Sequence, residues 1–181
     1  MLISISGAFA SGKTTLVRGA CKQLAGAACV EEIATAARTA FPAFDWRLPD
    51  ARAYLFWAQH LAERIRLHEG GTWLLDGSLI DVFAHARAFG NPIPPHWLDA
   101  ASHRYDKVFV CDVNDIDIED NNIRETDPEL RQRLQKIVIE EAGKYGRTLP
   151  VILSGSASSR LTQLCAYLSP AFQPAAGGAS E

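Results

Sequence analysis

Along this chain, short apolar runs rich in β-branched and aromatic residues alternate with longer stretches whose apolar positions recur every three or four residues. Runs of the first kind fall at residues 2–6, 28–31, 72–76, 107–112 and 150–154 and predict strands. The intervening stretches predict helices. Repeated strand–helix–strand units imply an α/β protein: a central five-stranded parallel sheet with helices on both faces, hence three layers.

Two helices carry clear boundary signals. Asp50 is placed to cap a helix over 50–69, which sets Tyr54, Trp57, Ala58, Leu61 and Ile65 on one apolar face and stops at Gly70-Gly71. Asp127 caps another with Pro128 at its first position, burying Leu130, Leu134, Ile137 and Val138. Between the fourth strand and that helix runs "NDIDIEDNNIRETDP", acidic and too polar to pack inside, which reads as a mobile lid-like loop. The ending "SPAFQPAAGGASE" lacks periodicity, so the expected organisation is one domain over 1–168 and a flexible tail over 169–181.

Composition narrows the class. A chain of 181 residues with 48% apolar and 22% charged content suits one soluble domain with a proper core. A net charge of −3 gives no general pull toward nucleic acid, and no apolar run approaches the ~20 residues that would span a bilayer. Cys21, Cys29, Cys111 and Cys165 have neither C-x-x-C nor metal-ligand spacing and read as reduced, buried residues. A cytoplasmic location is the matching expectation.

Chemistry enters with "ISISGAFASGKTTLVRGA". Gly7-x-x-x-x-Gly12-Lys13-Thr14 fits the P-loop pattern and stands where that motif must, after a strand and before a helix. Its glycines permit close backbone approach, so that amides across Ala10, Ser11, Gly12 and onward to Thr15 can face phosphate oxygens. Lys13 is the residue to reach the β and γ phosphates of ATP, Thr14 the hydroxyl ligand of Mg²⁺, and the following helix presents its positive end to the same anion. "TWLLDG" ends in Asp76, the apolar-run-then-carboxylate form of a Walker B site, which would hold Mg²⁺ through water beside the acceptor. Gly77 follows where many ATP-driven machines place a water-activating Glu, and no N-K-x-D guanine-reading sequence occurs. Motor-type hydrolysis and a guanine switch are both disfavoured.

A kinase also needs a carboxylate to orient or deprotonate its acceptor. "CVEEIATAAR" supplies Glu31 and Glu32 at the end of the second strand, with Glu32 favoured, and Arg38 two turns further on faces the same cleft in this reading. Arg124, an isolated cation in the acidic loop, is the candidate lid arginine, ahead of Arg131 and Arg133 at the start of the next helix.

With these pieces in order the chain resembles P-loop nucleoside and nucleotide kinases, and more narrowly the AAA_28 group, which includes the ribosylnicotinamide kinase domain of NadR. The likeness is carried by "ISGAFASGKTTL", "VEEIATAAR", Gln59, "LLDGSLIDVFAHARAFG", "RYDKVFVCDV", "EDNNIR" and "VILSGSASSRL", over most of 1–168. It implies Glu32 as the acidic residue after the second strand, Gln59 lining the acceptor pocket, Arg124 in the lid, and Gly155, Ser156 and Ala157 beside adenine. Two positions depart from the family: Asp76-Gly77-Ser78 replaces Asp-Arg-Ser, and Thr35 stands where an arginine is usual, with Arg38 one turn later as a substitute. Both fall on the acceptor side. The aromatic set Phe41, Phe44, Trp46, Phe56 and Trp57 reads mainly as core, with stacking on a flat ring as the alternative.

The expected function is an ATP- and Mg²⁺-dependent small-molecule kinase whose partners are ATP and a small acceptor, with neither nucleic acid nor membrane. Its rival is an ATP-binding switch that recruits a partner with slow or no turnover. The sequence carries no signal for oligomeric state.

Overall fold

The computed structural model describes residues 1–102, 104–114 and 127–172, the side chains of 170–172 excepted. Arg124 and the rest of 115–126 lie outside the described residues, as do residues 173–181 of the tail.

The five predicted strands form within a residue or two of their expected places: β1 (Leu2–Ser6), β2 (Ala27–Val30), β3 (Thr72–Asp76), β4 (Lys107–Cys111) and β5 (Val151–Leu153). All pairings are parallel, in the order β2-β3-β1-β4-β5. β1 is therefore central. Successive crossovers run to one side of it and then to the other, which opens a crevice at its carboxyl end.

Alternation along each strand divides the core. Ile3, Ile5, Leu74, Phe109 and Cys111 pack against α1 (Lys13–Gln23) and α7 (Ala157–Phe172). Leu2, Leu75, Val108 and Val110 pack on the other face with α4 (Leu79–Ala88), α5 (Pro95–Ala101), α6 (Pro128–Tyr145) and Phe56 of α3 (Pro49–Glu69). The short α2 (Ile33–Ala40) follows β2. No helix among the described residues is long and apolar enough to cross a membrane. Helices on both faces of the parallel sheet make the three-layer α/β architecture that the sequence predicts. α7 runs on to Phe172, past the expected domain end at 168.

Asp127 caps α6 as expected, its carboxylate accepting from the amides of Glu129 and Leu130. α3 differs on two counts. It starts at Pro49 with Leu48 as its cap residue, so Asp50 lies in its first turn. Its buried face is also the reverse of the expected one: Arg52, Leu55, Phe56, Gln59 and Glu63 point inward, whereas Tyr54, Trp57, Leu61 and Ile65 remain 44–60% exposed. The physical reason is a polar interior beside the crevice, where Arg104, Tyr105 and the Leu79 amide satisfy Glu63, and Glu63 in turn satisfies Gln59. Of the aromatic set, Phe56 is core, stacked on Trp97 at 4.1 Å, while Phe41 and Trp57 are exposed.

The cysteines also depart from expectation. Cys21 and Cys29 are joined in a disulfide that ties α1 to β2, while Cys111 and Cys165 are free. The two sulfurs are brought together because β2 runs back alongside the helix that leaves the P-loop.

Candidate active site

β1 delivers Gly7 to the crevice, and the chain loops before entering α1 at Lys13. A Cβ on Gly7 would lie 2.6 Å from Ser11 Oγ and 3.1 Å from the Cys111 carbonyl, so only glycine fits there. Ala10 takes a left-handed φ of 54°, an uncommon conformation for a residue with a Cβ, held by its surroundings. Those surroundings are two guanidinium groups. Arg131 donates from Nη2 to the Ala10 carbonyl at 3.0 Å and from Nε to that of Phe9 at 3.3 Å; Arg160 donates from Nη1 to that of Ser11 at 3.0 Å. In a planar trans peptide N–H and C=O point opposite ways, so fixing these carbonyls outward aims the amides of Ala10, Ser11 and Gly12 into the loop.

Lys13 is buried, and its Nζ spans the loop by donating to the carbonyls of Gly7 (2.9 Å) and Ala8 (3.1 Å). Burial opposes its charge, yet Asp81, Glu32 and Asp76 together outweigh it and raise the pKa above the ordinary lysine value. Asp76, at the end of β3, is only 4% exposed, with the Thr14 side chain beside it. Burial raises its pKa to about 6, against the pull of Thr14 and Lys13. Its Oδ1 has no hydrogen-bond partner among the described residues. An unsatisfied buried carboxylate oxygen beside a threonine hydroxyl is a donor set that suits Mg²⁺.

Asp81, which the sequence reading passed over, holds the crevice floor. At the third position of α4 it accepts from the Ser6 hydroxyl at 2.7 Å, the Gly7 amide at 3.0 Å and the Ser78 amide at 2.9 Å. The Ser78 hydroxyl completes a capping box and also accepts from Ser4 at 2.8 Å. β1 therefore carries serines on the face toward α4, where a buried strand would ordinarily be apolar.

The acceptor end opens beside this floor. Glu31 is exposed and paired with Arg18 at 3.6 Å, whereas Glu32 lies at the start of α2, receives a hydrogen bond from Thr35 and lines the cleft. Arg38 lines it too. Gln59 is buried, with Nε2 donating to Glu63 Oε1 at 2.9 Å. Glu63 in turn accepts from Arg104, Tyr105 and the Leu79 amide. Trp46, Phe9 and His85 form an aromatic wall, with Trp46 and His85 edge to face at 5.1 Å. His85 is held neutral: burial lowers its pKa to about 4, and its Nδ1 lies 2.6 Å from the Asp81 carbonyl. A carbonyl can only accept, so Nδ1 carries the proton and Nε2 is left as an acceptor.

One cavity of about 280 Å³ joins these groups, from Lys13, Thr14 and Asp76 to Glu32, Arg38 and Gln59. Gly155, Ser156 and Ala157 do not line it. They are tied to the P-loop through Arg160, whose Nε donates to the Gly155 carbonyl at 2.7 Å. Arg133 points away, to the Ala88 carbonyl at 2.6 Å. Among residues not singled out from sequence, Arg52, Asp81, His85 and Arg160 shape the site. The available signal was charge at positions that alternate with apolar residues in helices otherwise committed to the core.

A family model described as an AAA domain, AAA_28, matches residues 2–160. The chain belongs to the AAA_28 family. Solved structures of NadR are similar in fold: one in complex with NAD and AMP-PNP has TM-score 0.74 and 20% identity, and one in complex with NR has TM-score 0.77 and 21% identity. Each match covers 99% of this chain, but the chain spans about half of theirs, 51% and 54%. A deoxyadenosine kinase from M. mycoides (TM-score 0.63, 12% identity) aligns over 94% of this chain and 100% of its own. A thymidylate kinase from Candida albicans (TM-score 0.60, 14% identity) aligns over 94% and 91%. A search of the curated proteins found no sequence match. At these identities the structural likeness speaks for the P-loop kinase fold, and the site must speak for the chemistry.

Proposed function

We propose that this AAA_28 protein is an ATP-dependent small-molecule kinase, moving the γ-phosphoryl group of ATP to a hydroxyl or phosphate acceptor on a nucleoside- or nucleotide-like molecule. The observation that carries this reading is the single cavity that joins a phosphate-binding end, Lys13, Thr14 and Asp76, to an end with a carboxylate, Glu32, and an amide, Gln59. A P-loop that only bound nucleotide would need no such second chamber.

The inward amides of the loop and the Lys13 ammonium would hold the β and γ phosphates and offset charge as the bond to the leaving ADP loosens. Thr14 and Asp76 would hold Mg²⁺, which when bound neutralises phosphate charge. Glu32 would accept the proton of the attacking hydroxyl, its carboxylate steadied by Thr35, and Arg124 would close over the transferred group. Positioning and electrostatics would supply most of the rate.

The test is ADP release from ATP and Mg²⁺ across nucleosides, nucleotides, nicotinamide riboside and simple alcohols, with Lys13→Ala as the control. Acceptor-dependent ADP release that vanishes in the variant is expected. ATP binding that no acceptor converts to turnover would overturn the kinase reading in favour of a nucleotide-dependent switch.

A further inference from the structure

Arg52 is buried and charged, and no hydrogen-bond acceptor among the described residues claims its Nε or Nη2. It stands on the first turns of α3, 3% exposed. Its guanidinium carbon lies 5.8 Å from the ring centre of Trp46 and 5.3 Å from that of Phe89. Rings satisfy the charge in part, but they leave the N–H edge of the fork without an acceptor. A buried guanidinium in that state is costly unless something outside the chain completes it.

Among the described residues no hydrogen bond joins Arg52 to a neighbouring carboxylate. Asp45 takes two bonds from the Arg47 side chain at 2.9 and 3.1 Å and one from its amide at 3.0 Å, Asp81 holds Ser6 and Ser78, and Asp76 faces Thr14 and Lys13. Arg52 instead lines the cavity, on the side of Gln59 and the aromatic wall of Phe9, Trp46 and His85. Arg38 lines that cavity as well. The free charge therefore sits where the acceptor, and not ATP, would lie.

We propose that Arg52 recognises an anionic group on the acceptor, so that the substrate class is a flat-ringed molecule bearing a phosphomonoester or a carboxylate. This rests on the kinase reading above for the identity of the cavity's acceptor end. The shared chemistry is a pair of anionic oxygens that can accept from the fork of the guanidinium, with the ring against Trp46 and His85.

The test titrates matched pairs calorimetrically into protein saturated with Mg²⁺ and a non-hydrolysable ATP analogue, so that the P-loop is filled. One arm compares thymidine, cytidine and adenosine with their 5′-monophosphates. The other compares nicotinamide riboside with nicotinic acid riboside, which differ by a carboxylate on the ring. In at least one arm the anionic member is expected to bind about tenfold or more tightly than its neutral partner, as a charge-assisted pair implies. Arg52→Gln should erase that preference; the responding arm says whether the anion is phosphate or carboxylate. Arg52→Met, which keeps an unbranched apolar stem against the two rings, serves if the glutamine variant does not fold by circular dichroism.

Equal binding of both members in both arms, no binding in either, or a preference that survives loss of Arg52 would overturn the proposal. ADP release from ATP in parallel samples keeps the two readings apart. Neutral nucleosides turned over equally by wild type and Arg52→Gln would leave the kinase and remove the anion site. Anions held in an Arg52-dependent way without any ADP release would leave the anion site and remove the kinase.

Discussion

The carboxylate of Glu63 and the guanidinium of Arg104 meet at 3.0 Å in the interior, their side chains 0% and 5% exposed. The pair links α3 to the segment that leads into β4, and Glu63 also accepts from Gln59, Tyr105 and the amide that opens α4. Gln59 is thereby held with its Nε2 toward Glu63, which fixes how its amide meets the cavity.

Removing one partner of such a pair strands the other charge. Arg104→Met should lower stability by about 3 kcal/mol, near the bottom of the range for broken buried pairs because three donors still face Glu63. Glu63→Gln keeps an acceptor and strands only a cation that also bonds the Ala100 carbonyl, so its cost should be smaller, about 1–2 kcal/mol. Urea unfolding of the two variants checks the order. Equal losses would mean that the ion pair itself contributes little.

Asp76 sets function against stability. Burial lifts its pKa from 3.8 to about 6, so the folded protein holds that proton more tightly than the unfolded chain. The resulting cost is absent below about pH 3.8, grows as pH rises toward 6 and is full above it, amounting to about 3 kcal/mol at about 1.36 kcal/mol per pKa unit. Asp76→Asn should therefore melt higher than wild type at pH 7, with the gap closing near pH 4. The same variant should lose Mg²⁺-dependent nucleotide affinity, and in wild type that affinity should fall as pH drops below about 6. An asparagine variant less stable than wild type at pH 7 would contradict the assigned strain.

Most of the sheet and the phosphate loop were legible because both rest on local pattern: short apolar runs for the strands, and a motif flanked by strand and helix for the loop. α3 shows where such reading ends. Its apolar positions Tyr54, Trp57, Leu61 and Ile65 recur at helical spacing, and spacing alone assigns them to the core. The interior they would enter is polar, occupied by Arg104, Tyr105 and the opening of α4, so Gln59 and Glu63 take the inward face. That environment is built by residues 16 to 42 positions downstream of Glu63 and leaves no trace in a local window. Asp81 was missed for a related reason: its capping box is local, but its bonds to Ser6 and Gly7 depend on β1 and β3 lying side by side. The sequence favours Glu32 over Glu31, and α2 turns Glu32 toward the cleft while Glu31 pairs with Arg18.

The Cys21–Cys29 pairing gives a thiol count. Under denaturing, non-reducing conditions two thiols per chain should react, those of Cys111 and Cys165, and four after reduction. With a separation of 8 residues, reduction should lower stability by about 2–3 kcal/mol on a chain-entropy estimate. Melting with and without reductant measures it. Four reactive thiols before reduction would show that the bond does not form in the isolated protein.

Arg160 braces the P-loop without lining the cavity. Its fork holds the Ser11 carbonyl with Nη1 and the Gly155 carbonyl with Nε, so one side chain sets the P-loop and the start of α7 in register. Arg160→Met should release the Ser11 peptide, whose amide partner then loses its inward bias, and weaken ATP binding about tenfold, the equivalent of one charged hydrogen bond. Arg160→Lys should rescue little, since a single ammonium on a flexible stem does not reproduce two bonds made in a fixed plane. Competition against a fluorescent ATP analogue reads both variants. Wild-type affinity in Arg160→Met would show that the loop holds its shape through Gly7, Asp81 and Arg131 alone, whereas loss in the methionine variant with full recovery in the lysine variant would assign the effect to charge and not to geometry.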